Sequence, residues 1–345
     1  MKFKSVLNAF CVLLIVSLIA SCKKNSDSGP QGKYQHGVFI VNEGGITHGN
    51  ASISFYNPDS LKVSNDIFTT SNGRSLGDVA QSITNIDGKY YIVVNNSNKI
   101  EIVEDNFTSI GVIKDSIDQP RYLLNINSQK AYISQWGSTG KGNVAVLDLA
   151  TNKVTKKIIL NMGPEKMVLY NNFVYVTNYG GFTNDSIVSV IDANTDKLIT
   201  NIKVGYNPSS IVLDKNNKIW VLCGGMWPDK VGSLVQIDPA ANTAKTIMSL
   251  ASEFYQPPMT INQAKDNLVF SFDNKVYEQN IASITPIVKL NRAFYKMGIN
   301  PKNGDLYGTD PKNYSSNGWV IRYNSGFAAI DSFKVGVIPG EIMFK

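Results

Sequence analysis

The chain of 345 residues carries 33 lysines and arginines against 27 aspartates and glutamates, with two histidines and three cysteines. The basic surplus is small and spread without runs, so nothing points to a nucleic-acid partner, and two histidines cannot build a histidine metal cluster. Roughly 310 residues beyond the N-terminal segment are ample for one large β domain with its own core.

In chain order, Lys2 and Lys4 precede an apolar stretch from Val6 to Ile19, which closes on Ile19-Ala20-Ser21-Cys22. Its apolar core is shorter than the ~20 residues of a spanning helix, and small residues before a cysteine mark a lipoprotein signal peptide over residues 1–21. Cys22 is then the acylated first residue of the mature chain. Acyl burial at ~0.8 kcal/mol per CH₂ makes two or more chains a stable membrane anchor. Loss of Lys2 and Lys4 with the leader leaves 31 basic residues against 27 acidic ones. Residues 22–35 are dominated by Lys, Asn, Ser, Asp, Gly and Pro and read as a flexible tether. With Cys11 removed and Cys22 modified, Cys223 stands alone and no internal disulfide can form.

From residue 36 onward one pattern recurs. The segments Val38-Phe39-Ile40-Val41-Asn42, Tyr91-Ile92-Val93-Val94-Asn95, Ala131-Tyr132-Ile133-Ser134-Gln135 and Val174-Tyr175-Val176-Thr177-Asn178 are followed by Ile219-Trp220-Val221-Leu222-Cys223, Leu268-Val269-Phe270-Ser271-Phe272 and Leu306-Tyr307-Gly308-Thr309-Asp310. Their last residues, 42, 95, 135, 178, 223, 272 and 310, lie 38 to 53 apart, near the ~40–50 expected of one four-stranded blade. The fullest copy runs from Phe173 to Leu213, where Val- and Ile-rich runs cut by Asn, Asp, Gly and Pro read as four short antiparallel strands. Val337 to Phe344 matches the first-strand motif Asn207-Pro208-Ser209-Ser210-Ile211-Val212-Leu213, whereas the N-terminal copy begins at a second strand. The fold expected over residues 36–345 is therefore all-β, a seven-bladed propeller of four-stranded antiparallel blades in which the C-terminal strand completes blade one.

Tyr175-Val176-Thr177-Asn178, with Val188-Ser189-Val190-Ile191-Asp192, Val204-Gly205 and Asn207-Pro208, resembles the YVTN repeat. Proteins built from it are β-propellers, the wider group being called YncE-like, and the resemblance runs from about His36 to the C-terminus. The opening Phe39-Ile40-Val41-Asn42-Glu43-Gly44, followed by Ala51-Ser52-Ile53-Ser54-Phe55-Tyr56, is similar to the start of Bacteroidetes surface propeller lipoproteins. Some of those capture cobalamin and pass it to a TonB-dependent outer-membrane transporter. The resemblance thus implies a surface-exposed outer-membrane lipoprotein with a nutrient ligand. Propellers similar to this one also include lactonases and lyases whose charged central pocket holds a metal.

The connections from second to third strand are long: Glu43 to Asn50, Trp136 to Asn143, Tyr179 to Ser186, Gly224 to Gly232 and Pro311 to Gly318. In an antiparallel blade they share a face with the fourth-to-first connections, while the opposite turns, such as Asp192 to Lys197, are tight and polar. In or beside that long-loop face fall Trp136, Tyr179, Phe182, Trp227, Tyr255, Tyr295, Tyr314, Trp319, Arg74, Arg121 and Arg292. Aromatic and arginine side chains bring large rigid area and a polar edge, so this face is the candidate ligand-binding surface.

Catalytic constellations are lacking at this level. His36 and His48 have no supporting triad motif, Cys223 ends a strand as a packed residue would, and the paired glycines lack a strand-to-helix context for phosphate. No catalytic residue, metal ligand or cofactor is assigned. The sequence reading is a non-enzymatic, lipid-anchored envelope protein that binds a small-molecule or nutrient ligand, with a propeller enzyme or a protein- or glycan-interaction module as alternatives. Wide aromatic surface would favour the binder, and convergence of acids, amides or histidines on the channel the enzyme. Cys22→Ala is expected to release the protein from the membrane fraction without unfolding it; continued lipid labelling of that variant would count against the anchor.

Overall fold

The computed structural model describes residues 33–345, which form seven four-stranded antiparallel sheets. The leader, Cys22 and the tether up to residue 32 lie outside the described residues. Among those described, no helix is long and apolar enough to cross a membrane.

In blade one, Pro339–Phe344 pairs with Val38–Asn42, followed outward by Ser52–Asn57 and Lys62–Ser64. The other inner strands are Ala80–Ile86, Pro120–Asn125, Pro164–Tyr170, Pro208–Leu213, Met259–Ile261 and Met297–Ile299. Each contacts the next around a ring that Pro339–Phe344 completes. The fold is a seven-bladed β-propeller, closed by the C-terminal strand as the repeat pattern requires.

The apolar runs explain the packing. Successive strand side chains point to opposite faces, so Val174 and Val176 meet blade three, with Tyr132, Val144 and Val146, while Tyr175 meets blade five, with Ile219, Val221 and Val235. Every blade buries both faces in this way. The buried apolar residues described accordingly divide into seven clusters, one at each junction between neighbours.

The first junction is thickened by two extra pieces. The short helix Ile67–Asn72 inserts Ile67 and Phe68, and Tyr34 packs edge-on against Phe39, Phe55 and Phe107 at centroid distances of 6.1, 5.0 and 5.5 Å. Tyr34 is 1% exposed, so the packed domain starts before residue 36, inside the stretch read as tether. A polar segment carried this one ring, and the ring found an aromatic pocket.

On the tight-turn face, Asn152, Asp196 and Asn242 occupy the left-handed region at φ 54, 53 and 52. Asp148, Asp192 and Asp238 accept backbone N–H groups within the same turns, at 2.8, 2.8 and 3.0 Å. These are local Asx turns that suit a scaffold face.

Closure is a matter of hydrogen bonds and rings together. Lys345 N donates to Gly37 O at 3.0 Å, and Tyr56 of blade one stacks on Phe333 of blade seven with centroids 3.9 Å apart. Deleting residues 339–345 opens the one strand-paired seam that joins the two ends of the described chain, so the expected loss is comparable to the whole ~5–15 kcal/mol of a domain's net stability. A truncated protein that melts as cooperatively as the parent in calorimetry would rule out this closure.

Candidate functional site

The inner strands enter from the long-loop face with a slip in register. It falls between Pro120 and Leu123 in blade three, between Pro164 and Met167 in blade four, and between Pro208 and Ser210 in blade five. A β-bulge of this kind takes one backbone N–H out of the ladder and re-aims its side chains. The displaced N–H groups are received by hydroxyls of the second strand. Tyr122 N donates to Ser134 Oγ at 3.1 Å and Lys166 N to Thr177 Oγ1 at 3.1 Å; in blade seven Lys296 N donates to Thr309 Oγ1 at 2.9 Å. The threonine of Tyr175-Val176-Thr177-Asn178 therefore satisfies a backbone group that the slip would otherwise strand.

These slips turn a charged set onto the axis. Lys166 of blade four lies 3.9 Å from Glu341 of blade one, a contact between blades that are not neighbours and can meet only in the channel. Arg121 forks onto Glu165, with Nε 2.9 Å from Oε2 and Nη2 2.8 Å from Oε1. Trp136 Nε1 donates to the same Oε2 at 2.8 Å, and its ring lies 4.0 Å from the guanidinium. Tyr295 donates its hydroxyl to Glu43 at 3.1 Å, and Lys296 Nζ donates to Gln256 Oε1 at 3.1 Å. Below this layer the channel encloses about 180 Å³ lined by Thr84, Tyr122, Lys166, Met167 and Glu341 among others.

Burial sets the electrostatics. It holds the Glu43 carboxyl above the usual carboxylate range, against the opposing pull of Lys296 and Arg121. It also holds the Lys296 ammonium below the usual lysine range, with Lys166 acting in the same sense. Arg121 is desolvated too, but Glu165 more than compensates and raises its pKa. Burial, followed by the charge of Glu43, pushes the Tyr295 hydroxyl well above its ordinary value. Glu43 and Lys296 thus sit closer to neutrality than exposed counterparts would.

Aromatic rings surround the charged floor. Trp136 stacks on Tyr179 at 6.4 Å and meets Phe182 edge-on at 5.6 Å, Tyr179 meets Tyr255 at 6.2 Å, and Tyr295 meets Tyr314 at 5.9 Å. Between blades six and seven this rim opens into a cleft of about 350 Å³ lined by Tyr255, Gln256, Tyr295, Thr309, Asp310 and Tyr314 among others.

Seven of the residues singled out from sequence are thus brought together: Trp136, Tyr179, Phe182, Tyr255, Tyr295, Tyr314 and Arg121. Four are not part of this constellation. Arg74 pairs with Glu101 at the rim between blades one and two and lies over Phe68. Trp227 is 75% exposed in its loop and Trp319 sits within the strand Asn317–Tyr323; neither contacts another aromatic ring among the described residues. Arg292 binds Asp310 at 3.2 Å and lies over Phe294, beside the cleft.

Sequence reasoning missed Glu43, Glu165, Gln256 and Lys296. A signal for one was available: Arg121 and Glu165 both follow the proline that opens a first strand, so aligning the copies on Pro120 and Pro164 places them at one equivalent position. The two features set out as discriminators also coexist here, since glutamates and amides converge beneath an aromatic rim. Among the described residues no group of three or more His, Cys, Asp or Glu side chains is arranged to hold a metal ion.

Thr177→Val leaves both the N–H and the C=O of Lys166 without the hydroxyl they share, at 3.1 and 3.2 Å. It is expected to cost about 1–3 kcal/mol in urea unfolding, whereas Thr177→Ser should retain most of the stability. A valine variant as stable as the parent would remove the hydroxyl from this role.

Comparison with solved structures extends the fold over nearly the whole chain. A quinonprotein alcohol dehydrogenase-like protein from Bacteroides thetaiotaomicron VPI-5482 superposes with a TM-score of 0.70 at 16% identity, over 90% of this chain and 78% of that one. The periplasmic gluconolactonase PpgL of Pseudomonas aeruginosa gives 0.65 at 12% identity, over 89% and 99%. Apo AztD from Citrobacter koseri gives 0.54 at 9% identity, over 89% and 96%. At these identities the likeness is one of fold. No curated protein matches the sequence. Residues 36–333 match the family described as Domain of unknown function (DUF5074), and the chain belongs to that family.

Proposed function

We propose that this propeller is a non-enzymatic, lipid-anchored binding protein of the cell envelope that captures a small organic ligand at the mouth of its channel. The observation that carries this reading is the exposed rim over a polar floor. Tyr255 and Tyr314 are 74% and 55% exposed at the edge of the cleft, while Gln256 lies buried in its lining and is bonded to the buried Lys296. Rigid rings over buried donors are the usual composition of a ligand site, with apolar area for affinity and a few polar groups for orientation.

Neither Cys223 nor His48 is set for nucleophilic chemistry. Cys223 is fully buried, and burial pushes its thiol up to about 12. His48 Nδ1 sits 2.9 Å from Ile46 O in an exposed loop. The resemblance of the first blade to surface propeller lipoproteins extends the reading to a nutrient, cobalamin or a comparable compound, handed to a TonB-dependent outer-membrane transporter. An enzyme is the second reading, favoured by the convergence of Glu43 and Glu165 with Arg121 and Lys296 and by the likeness in fold to a gluconolactonase. Turnover of a lactone by the purified protein would establish it instead.

Melting curves against a library of corrinoids, haem and oligosaccharides test capture, because a ligand at a hundred times its Kd adds ~2.7 kcal/mol. With a ligand in hand, Tyr255→Ala and Tyr314→Ala should weaken binding, at least one of them by ~2 kcal/mol. Lys153→Ala and Lys218→Ala on the tight-turn face should stay within ~0.5 kcal/mol. The opposite pattern would put the site on the wrong face.

A further inference from the structure

The cleft between blades six and seven contains a donor that the protein leaves unused. Gln256 is 6% exposed and lines the cleft; its Oε1 accepts from Lys296, and its Nε2 has no partner within the protein. An ammonium can only donate, so the amide oxygen must face Lys296 and the NH₂ must turn away from it. Buried N–H groups without an acceptor are unfavourable and uncommon, which makes this one a candidate for an external acceptor.

The charge around the cleft is unbalanced in the same sense. Asp310 is shared by Arg292 at 3.2 Å and Lys312 at 3.1 Å. Lys296, 9% exposed, has no carboxylate within ion-pair distance among the described residues and spends its one hydrogen bond on Gln256. Glu43, also near the axis, is occupied by the Tyr295 hydroxyl. A neutral acceptor would satisfy the amide but add nothing to Lys296, on which Glu43 and Glu165 act only from beyond ion-pair distance, whereas an anion answers both.

We propose that the cleft takes the carboxylate of a ring-bearing organic acid, with Gln256 Nε2 donating to it, Lys296 supplying the counter-charge, and Tyr255, Tyr295 and Tyr314 flanking the ring. The assignment rests on the capture reading and narrows it to a ligand class. The three tyrosines suit a flat body because aromatic faces pair best with other rings.

The test uses benzoate as probe and benzamide as its neutral counterpart, each titrated into the full chain by calorimetry. Benzoate is expected to bind about tenfold or more tightly than benzamide. Gln256→Glu gives Lys296 its counter-charge and sets a second carboxylate against the probe. It should weaken benzoate about tenfold or more while leaving benzamide in place. Lys296→Met, which removes a buried charge, should abolish the preference and serves if the first variant does not fold. Equal affinity for the two probes, no benzoate binding at millimolar concentration, or full benzoate affinity in the variants would each overturn the assignment. The capture reading fails separately, if no compound in the wider library binds. An oligosaccharide whose affinity survives both variants would keep capture and remove the anion.

Discussion

Every second strand in this molecule is buried on both sides, and that one constraint organises the rest. Val174, Tyr175 and Val176 serve two different cores, one shared with the blade before and one with the blade after. A single blade therefore owns only half of each interface that stabilises it. With no self-contained blade, the array has to close on itself, and pairing of Pro339–Phe344 with Val38–Asn42 is how it does so. The stability of such a ring is distributed, since losing one junction exposes apolar surface on two blades at once.

The same blades generate the site through a local irregularity rather than through their regular pairing. Where the inner strand slips against the second in blades three and four, Ser134 and Thr177 receive the N–H groups that leave the ladder, as Thr309 does for Lys296 just ahead of its strand, and the side chains converge. A buried ion pair such as Arg121 with Glu165 is a weak contributor to stability, because desolvating two charges consumes most of their attraction. Its local effect is geometric. Glu165 fixes the guanidinium and the Trp136 indole together, so one carboxylate sets the orientation of a cation and of a large ring at the channel mouth.

Much of the architecture was legible because it repeats. Apolar runs ending at 42, 95, 135, 178, 223, 272 and 310 carried the blade count, and Val337 to Phe344 carried the closure, since each depends only on local pattern and on matching one copy with another. The site was legible in part. Loop membership identified Trp136, Tyr179 and Tyr255, but it says nothing of direction, and Arg74 illustrates the difference by turning to Glu101 at the rim. Glu165 and Lys296 belong to a strand and a strand edge, where a charged residue reads as solvent-facing; for Glu165 the register slip, a property of two strands together, turns it inward. Tyr34 escaped for a related reason, because its burial depends on Phe39, Phe55 and Phe107 and not on its polar neighbours.

Strand polarity in blade one has a further consequence. Val38–Asn42 runs from the tight-turn face toward the long loops, and Lys345 returns beside Gly37, so both ends of the described chain emerge on the tight-turn side. The 12 residues from Cys22 to Lys33 can reach at most ~40 Å when fully extended. An attachment made at either of those ends would start on the face opposite the aromatic rim and leave the cleft unobstructed.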